Sequence, residues 1–499
     1  MSESPYDRYS SPLASRNASE EMLRLWSPRQ KFNTWRRIWL AVAEAQHELG
    51  LPVTKEQVEE LRAVVSRPGG ITDGEMKAAE KYERELRHDV MAHVHALGDS
   101  CPRAKGIIHL GMTSQDVVCN ADLAIMRHAC ALVASKTLRV ILSLSDFAER
   151  TKALPALAFT HYQPAQPITV GRRAAQWASE LELCHRRIDS EGFSSRAKGF
   201  RGATGTQASY LTLFGGEGGT VDRFEGVLRG RGFGVADDDI FALTTQTYPR
   251  VHDCFVLADL AATAAVLHRV ATDIRLLSNR KELDEPFETK QIGSSAMPYK
   301  RNPMRCERIC GLTRFVMNLV GNAYDTAATQ WLERTLDDSS NRRLSLPEAF
   351  LALDGALDLM HNVASGLIVH EAMVRKNLMA ELPFMATENI LMACVKLGGD
   401  RQHYHELIRV HAQAAGLRVK QEGLENDLLD RLKADKHFWS GARGGPLSAE
   451  LDWDGVMDPM KYVGRSVEQT ERFIRDVVEP LRAQYGEAIA GLDESGPRV

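Results

Sequence analysis

The chain has no apolar run of membrane-spanning length. A helix that crosses a bilayer needs about 20 predominantly apolar residues, and the longest stretch, Phe255–Leu267, is broken by Asp259. No membrane association is therefore expected. There is no block of single-sign charge either. The 62 lysines and arginines stand against 66 acids, a net charge of −4, which gives no basic face for nucleic acid. The eight cysteines form no CxxC pair, and Cys306 and Cys310, four apart, have no second ligand pair nearby. Such scattered thiols read as reduced and mostly buried. The opening residues MSESPYDRYSSPLAS lack a cationic start and an apolar core, so no secretory signal is visible and a cytoplasmic location is expected. Strand-like alternation is scarce, with only 157–162 and 208–214 hinting at extended chain. No repeat of 20–50 residues appears, which excludes a solenoid.

What remains is helical periodicity. Ser27 as N-cap, Pro28 at the first helical position, Trp35, Ile38, Trp39 and Val42 on one face and Gly50 as a stop define a helix. Another spans 54–64, Arg67-Pro68-Gly69-Gly70 breaks it, and a polar helix leads into Arg87-His88-Asp89. In the middle of the chain Val256, Leu260, Leu267, Val270, Ile274 and Leu277 step by threes and fours, with Thr263 filling the gap. Phe350, Leu353, Leu357, Met360, Ala364 and Leu367 do the same. Residues 114–150, 167–192 and 303–328 also read as long helices. Stripes of this length suit a bundle in which each helix buries one seam. At 499 residues the chain exceeds a single core. The spacing predicts an all-α fold of three helical domains: an N-terminal one over 1–113, a central long-helix bundle over 114–369, and a C-terminal one over 370–499. A Gly/Pro-rich loop, Gly441–Pro446, interrupts the last.

The segment richest in chemistry is Gln291–Glu307, QIGSSAMPYKRNPMRCE. Its small residues make a mobile loop rather than packed core. Asn302-Pro303 reads as a helix start, with Asn as cap and Pro at the first position. Lys300 and Arg301 then precede a helix N-terminus, an end that favours anions over cations. Two cations there fit either an anionic ligand sharing the site or a solvated loop with incidental charges.

The loop GSSAMPYKRNP resembles the signature of the fumarase/aspartase superfamily, GSSxMPxKxNP. SPLASR at 11–16, RHDVMAHVH at 87–95, GIIHLGMTS at 106–114, FTHYQPAQPITVG at 159–171, GATGTQAS at 202–209, ERTLDDSSNRR at 333–343 and ELPFMATENI at 381–390 are similar to segments of its adenylosuccinate lyase family. The match runs in order from about residue 11 to about residue 430, and is closer to the longer animal and fungal enzymes than to short bacterial ones. The resemblance implies a fumarase/aspartase-like helical fold and a β-elimination that releases fumarate from adenylosuccinate, giving AMP. It also implies the same step on the succinyl-aminoimidazole-carboxamide ribotide of purine synthesis. Such a reaction needs a base, an acid for the departing nitrogen, and fixed cations or N–H groups at the developing charge.

By that resemblance Ser294 is the base, Lys300 the cation beside it, and Asn302 a second contact to the fumarate carboxylate. His161, in Thr160-His161-Tyr162-Gln163-Pro164, is the acid. Histidine suits the role because its ordinary pKa lies near working pH, although a lone histidine is more often structural. His88, flanked by Arg87 and Asp89, contacts the succinyl carboxylate or orients His161. The Thr113 and Ser114 hydroxyls, opening a long helix, suit a carboxylate or simply cap the helix. Arg16, Arg334, Ser339 and Arg343 correspond to the nucleotide-phosphate side, and Asn17 beside Arg16 to a further substrate contact. Arg308 and Gln246 correspond to the succinyl and purine sides, and Glu307 to a carboxylate paired with the lysine or a histidine. Read alone, the arginines of ERTLDDSSNRR could be neutralised by the segment's own acids.

The family implies a homotetramer whose active sites gather segments from three chains, and no cofactor. No metal is expected, because His93 and His95 diverge by about 200° around a helix. Gly230, Gly232 and Gly234 have neither the spacing nor the preceding strand of a nucleotide loop. The sequence departs from the family at Asn17, where a tyrosine is usual, and at Met112. A relative acting on argininosuccinate, malate or aspartate would have no use for Arg16, Ser339 and Arg343, and an inactive helical scaffold no use for Ser294, His161 and Lys300.

Overall fold

The computed structural model describes residues 7–189, 196–229, 231, 240–288, 290–439 and 451–492. Gly230, Gly232, Gly234 and the Gly441–Pro446 loop lie outside them.

The described chain is helical with two small two-stranded sheets. A short helix α1, Glu20–Leu25, precedes α2, Pro28–Glu48. Ser27 Oγ caps α2 by accepting from Gln30 N at 3.2 Å, and Trp35, Ile38, Trp39 and Val42 are buried as the periodicity requires. Capping boxes start α3, Lys55–Val65, from Thr54 and Gln57, and α4, Asp73–Leu86, from Thr72 and Glu75. Helix α5, Asp89–Ser100, follows, and α2, α3 and α5 bury one cluster around Trp35, Trp39, Leu61 and Leu97. Phe200, Tyr210, Phe214 and Phe224, far along the chain, complete that cluster.

The larger cluster lies among the long helices α6, Ser114–Thr151; α7, Val170–Asp189; α10, Val251–Asn279; α11, Met304–Ala328; and α12, Asp337–Ser365. Every member of the two stripes named for α10 and α12 is buried. A third cluster joins α14, Thr387–Lys396, α15, Arg401–Leu417, and α16, Leu428–Ala434, around Tyr404 and Phe438. All eight cysteines are free and buried.

Three expectations change. Residues 208–214 are not extended: Ala208–Leu213 forms a helical turn, α8, entered from Gln207 at φ 59°, with Tyr210 fully buried against Phe224. Burial of one aromatic side outweighs the β-propensity of a Thr/Tyr stretch. The helix expected over 167–192 begins only at Val170, because β2, Gln163–Thr169, pairs antiparallel with β1, Pro155–Thr160. Finally, α6 and α10 are long and apolar enough to cross a membrane by length and composition. Asp259, the charge within the α10 stretch, is paired 2.6 Å from Arg187. Within the chain, 72% and 56% of their most apolar windows are buried.

A buried ion pair ties the start of α6 to the 198–202 segment. Lys198 Nζ donates to Asp116, and neither side chain is exposed. Asp116 also accepts from Thr113 N at 3.0 Å, Arg201 N at 3.1 Å and Gly202 N at 3.3 Å. Asp116→Ala leaves a buried ammonium and three N–H groups without their acceptor. We expect it to lower stability by about 3–5 kcal/mol, seen as a lower urea midpoint at fixed protein concentration. Lys198→Met should cost less, because Asp116 keeps its backbone donors. The reverse order would show that the pair does not organise this corner.

Candidate active site

The loop before α11 is clasped at its neck. Asn302 Nδ2 donates to the Gly293 carbonyl at 2.8 Å. A Cβ on Gly293 would lie 2.0 Å from the Lys300 carbonyl oxygen, so only glycine permits this approach. Inside the loop, Ser294 Oγ accepts from Ala296 N at 3.4 Å and Met297 N at 3.1 Å. Two N–H dipoles aimed at a half-buried hydroxyl are what a serine needs to carry negative charge. Lys300 is exposed and forms no ion pair among the described residues.

Asn302 does not cap the helix, because its carboxamide is spent on Gly293. The N-terminus of α11 is held by Glu285, whose carboxylate accepts from Arg305 N at 3.0 Å and Cys306 N at 3.1 Å. Burial pushes the Glu285 carboxyl above its usual range despite those two bonds. The anion that this helix end favours is thus supplied by the chain itself, from 20 residues upstream, where nothing local in the sequence marks it. Glu307, on the first turn of α11, lies 4.0 Å from Arg275, and no ion pair joins it to Lys300 or a histidine among the described residues.

Arg308, one helical position further, donates through Nε to Asn17 Oδ1 at 2.9 Å and through its other nitrogen to the Arg16 carbonyl. Arg16 and Asn17 lie on a π-helical turn, Leu13–Asn17, packed so closely on α12 that a Cβ on Gly355 would meet the Asn17 carbonyl at 2.6 Å. Asn17, the departure from the family pattern, therefore orients Arg308.

A second group forms where α4 ends. Arg87 turns the chain at φ 55°, and His88 caps α5 by accepting from Met91 N on Nδ1 at 3.3 Å. That leaves Nε2 to carry the proton of the neutral ring, 3.4 Å from Ser114 Oγ. The cap position of α6 is Thr113 rather than Ser114, which frees the Ser114 hydroxyl. Asp89 accepts from Arg343 at 2.8 Å. Burial would raise the Asp89 carboxyl, but Arg343, the Val90 N–H and Lys31 together hold it below the usual range. The structure thus brings His88, Asp89, Ser114 and Arg343 together from three distant segments.

Beside this group lies a cavity of about 260 Å³. Arg334, Ser339 and Arg343 line it; Arg16 does not. Its apolar wall includes Trp26, Phe32 and Leu346. Of the three acids in ERTLDDSSNRR, Asp338 neutralises Arg334 at 3.2 Å and also Arg250 at 2.7 Å. Arg342 is buried and pairs with Asp253 at 2.7 Å. The sequence reading missed Lys31, Gln115 and Arg250 on this wall; a lysine four residues before the buried Trp35 was the only cue. Gln246 stands apart, donating through its backbone to Glu333 and through Nε2 to the Ala203 carbonyl at 3.1 Å.

His161 is exposed at the tip of the β1–β2 hairpin, not before a helix. It and Tyr162 adopt φ 53° and 56°, a two-residue turn that matches hairpin twist but is uncommon for non-glycine residues. No hydrogen bond or ion pair joins His161 to Ser294 or Lys300 among the described residues.

A lyase family model matches residues 16–318, and a model of the adenylosuccinate lyase C-terminus matches 383–473. The chain is 48% identical over 479 residues to the adenylosuccinate lyase of Schizosaccharomyces pombe, covering 95% of this chain and 96% of the relative. It is 48% identical over 480 residues to that of Saccharomyces cerevisiae, covering 96% of each. The Archaeoglobus fulgidus adenylosuccinate lyase is 31% identical, covering 94% of this chain and 99% of the relative. Among solved structures, a 3-carboxy-cis,cis-muconate lactonizing enzyme from Pseudomonas putida superposes with a TM-score of 0.77 at 22% identity, over 93% of this chain and 98% of its own. A fumarate lyase from Mesorhizobium sp. BNC1 gives 0.75 at 21%, over 94% and 99%. Both show the fold.

Glu285→Ala should lower stability by about 0.5–2 kcal/mol, the usual range for a lost helix cap, and Glu285→Gln should lose less, since its amide oxygen can still accept. Thermal melts of the two variants that match the wild type would remove Glu285 from the helix end.

Proposed function

The chain belongs to the adenylosuccinate lyase family of the fumarase/aspartase superfamily and is a carbon–nitrogen lyase; from that premise we propose how its residues perform the elimination. Ser294, as the alkoxide, takes the proton from the succinyl carbon next to a carboxylate. The electron pair becomes the fumarate double bond as the carbon–nitrogen bond breaks, and His161 delivers a proton to the purine nitrogen that leaves. The products are fumarate and AMP. The two backbone N–H groups on Ser294 Oγ support the first role, because they stabilise the alkoxide. Lys300, Asn302 and the Thr113–Ser114 turn hold the carboxylates, with His88 oriented by its own Nδ1 contact. The same chemistry extends to the succinyl-aminoimidazole-carboxamide ribotide, which offers an equivalent leaving nitrogen.

The observation that carries the nucleotide substrate is the cavity where Arg334, Ser339 and Arg343 meet beside His88 and Ser114. A succinyl adduct without phosphate has no use for these cations.

We further propose a homotetramer with shared sites. No hydrogen bond joins Ser294 to His161 within the chain among the described residues, and each has a role that needs the other. The long helices also leave Phe255 55% exposed, Leu183 60% and Tyr324 54%, apolar surface that a second copy would cover. The free, buried thiols support a cytoplasmic setting.

The direct test is incubation with adenylosuccinate, with AMP and fumarate expected in equal amounts; no release from folded protein would overturn the assignment. Ser294→Ala should lower turnover roughly 100-fold or more while binding substrate normally. Mixed with His161→Ala in verified hybrid tetramers, it should regain activity, and a lack of recovery there would count against shared sites. Arg343→Ala should weaken AMP binding roughly tenfold or more, with fumarate binding less affected; the opposite order would place Arg343 away from the phosphate.

A further inference from the structure

Five cations line the cavity beside His88: Lys31, Arg250, Arg334, Arg342 and Arg343. Each arginine is already committed to a carboxylate: Arg250 and Arg334 to Asp338, Arg342 to Asp253 and Asp122, and Arg343 to Asp89. Lys31 alone of the five has no ion pair among the described residues. Its ammonium instead lies 4.9 Å from the Trp35 ring and 5.4 Å from the Phe32 ring. Those rings are rigid, since Trp35 is fully buried and Phe32 stacks on His93 at 3.6 Å. A ring face is a partial counter-charge that fixes the ammonium in place without satisfying its three donors.

We propose that Lys31 binds the phosphate of the nucleotide substrate, as the uncommitted cation of the cavity formed with Ser339 and Arg343. This rests on the nucleotide reading of that cavity. The arginines, held by acids, shape the wall and offer their remaining N–H groups. Lys31 brings a charge that no protein carboxylate has claimed, and a phosphate monoester dianion is the ligand that such a surplus suits. Burial lowers the Lys31 pKa, Arg343 lowers it further, and Asp122, Asp89 and Glu83 partly offset them. These are the charged groups that face it from α12, α6, α5 and α4. An ammonium in that setting gains from an incoming anion.

The test compares AMP with adenosine, which differ only in the phosphate, by calorimetry on the full chain. Lys31→Met keeps the apolar stem and removes the charge; it should weaken AMP roughly tenfold or more and leave adenosine unchanged. Lys31→Arg should restore most of the loss. Unchanged AMP affinity in Lys31→Met, or equal loss for AMP and adenosine, overturns the proposal. If Arg343→Ala weakens AMP while Lys31→Met does not, only the present inference falls. If neither variant weakens AMP, the phosphate assignment of the cavity falls with it. Should Lys31→Met fail to fold, acetylation of wild-type protein read by mass spectrometry decides the matter: AMP, and not adenosine, should protect Lys31, and equal labelling overturns the proposal.

Discussion

The carboxylate of Asp116, buried with Lys198 at the start of α6, is the contact on which the rest of the site depends. Two charges without exposed surface are stable only if their remaining hydrogen-bonding capacity is filled, and here it is filled by backbone N–H groups from both Thr113 and the Arg201–Gly202 turn. Those groups cannot move without leaving charge unpaired in the interior. The turn that presents Ser114 to His88, and the glycine-rich 202–207 loop that receives Gln246 at Ala203, therefore sit in one fixed relation.

The same logic orders the cavity wall. Asp338, Asp253 and Asp89 do not simply cancel the arginines; they hold planar guanidiniums at set angles, so that little reorganisation is needed when an anion enters. A site made only of free cations would repel itself, and one made only of ion pairs would attract nothing. The wall combines four committed arginines with one lysine stabilised by aromatic faces, which is both rigid and still positive.

The segments that carry Ser294 and His161 are arranged differently. Ser294 is held by its own loop, the loop by the Gly293–Asn302 clasp, and the helix behind it by Glu285. His161 stands on a hairpin whose two left-handed residues are tolerated because strand pairing fixes them. The loop is held by contacts within its own segment and the hairpin by strand pairing and by Arg280 over the Phe159 ring at 4.7 Å.

Much of this was legible in the sequence because it is local. Ser27, Thr54 and Thr72 announce helices whose caps lie three residues away, and the stripes through Val256–Leu277 and Phe350–Leu367 state which faces are buried. The signature loop and the histidine segments could be recognised as strings. What lay beyond reach is set by partners distant in sequence. Residues 157–162 hint at extended chain, but the prolines at 155, 164 and 167 argue against a full hairpin and are tolerated because a two-stranded sheet has free edges. Asp116 and Lys198 are 82 positions apart, Arg343 and Asp89 254, and Lys31 differs from any surface lysine only in what surrounds it. The amino-acid order by itself determined the helices, their buried faces and the strings that mark the family, since these depend on spacing and residue type. Which arginine is spent on a carboxylate, which carboxylate replaces Asn302 at the helix end, and which lysine stays uncommitted were decided by tertiary packing alone, because a charge has no role until the fold has chosen its neighbours.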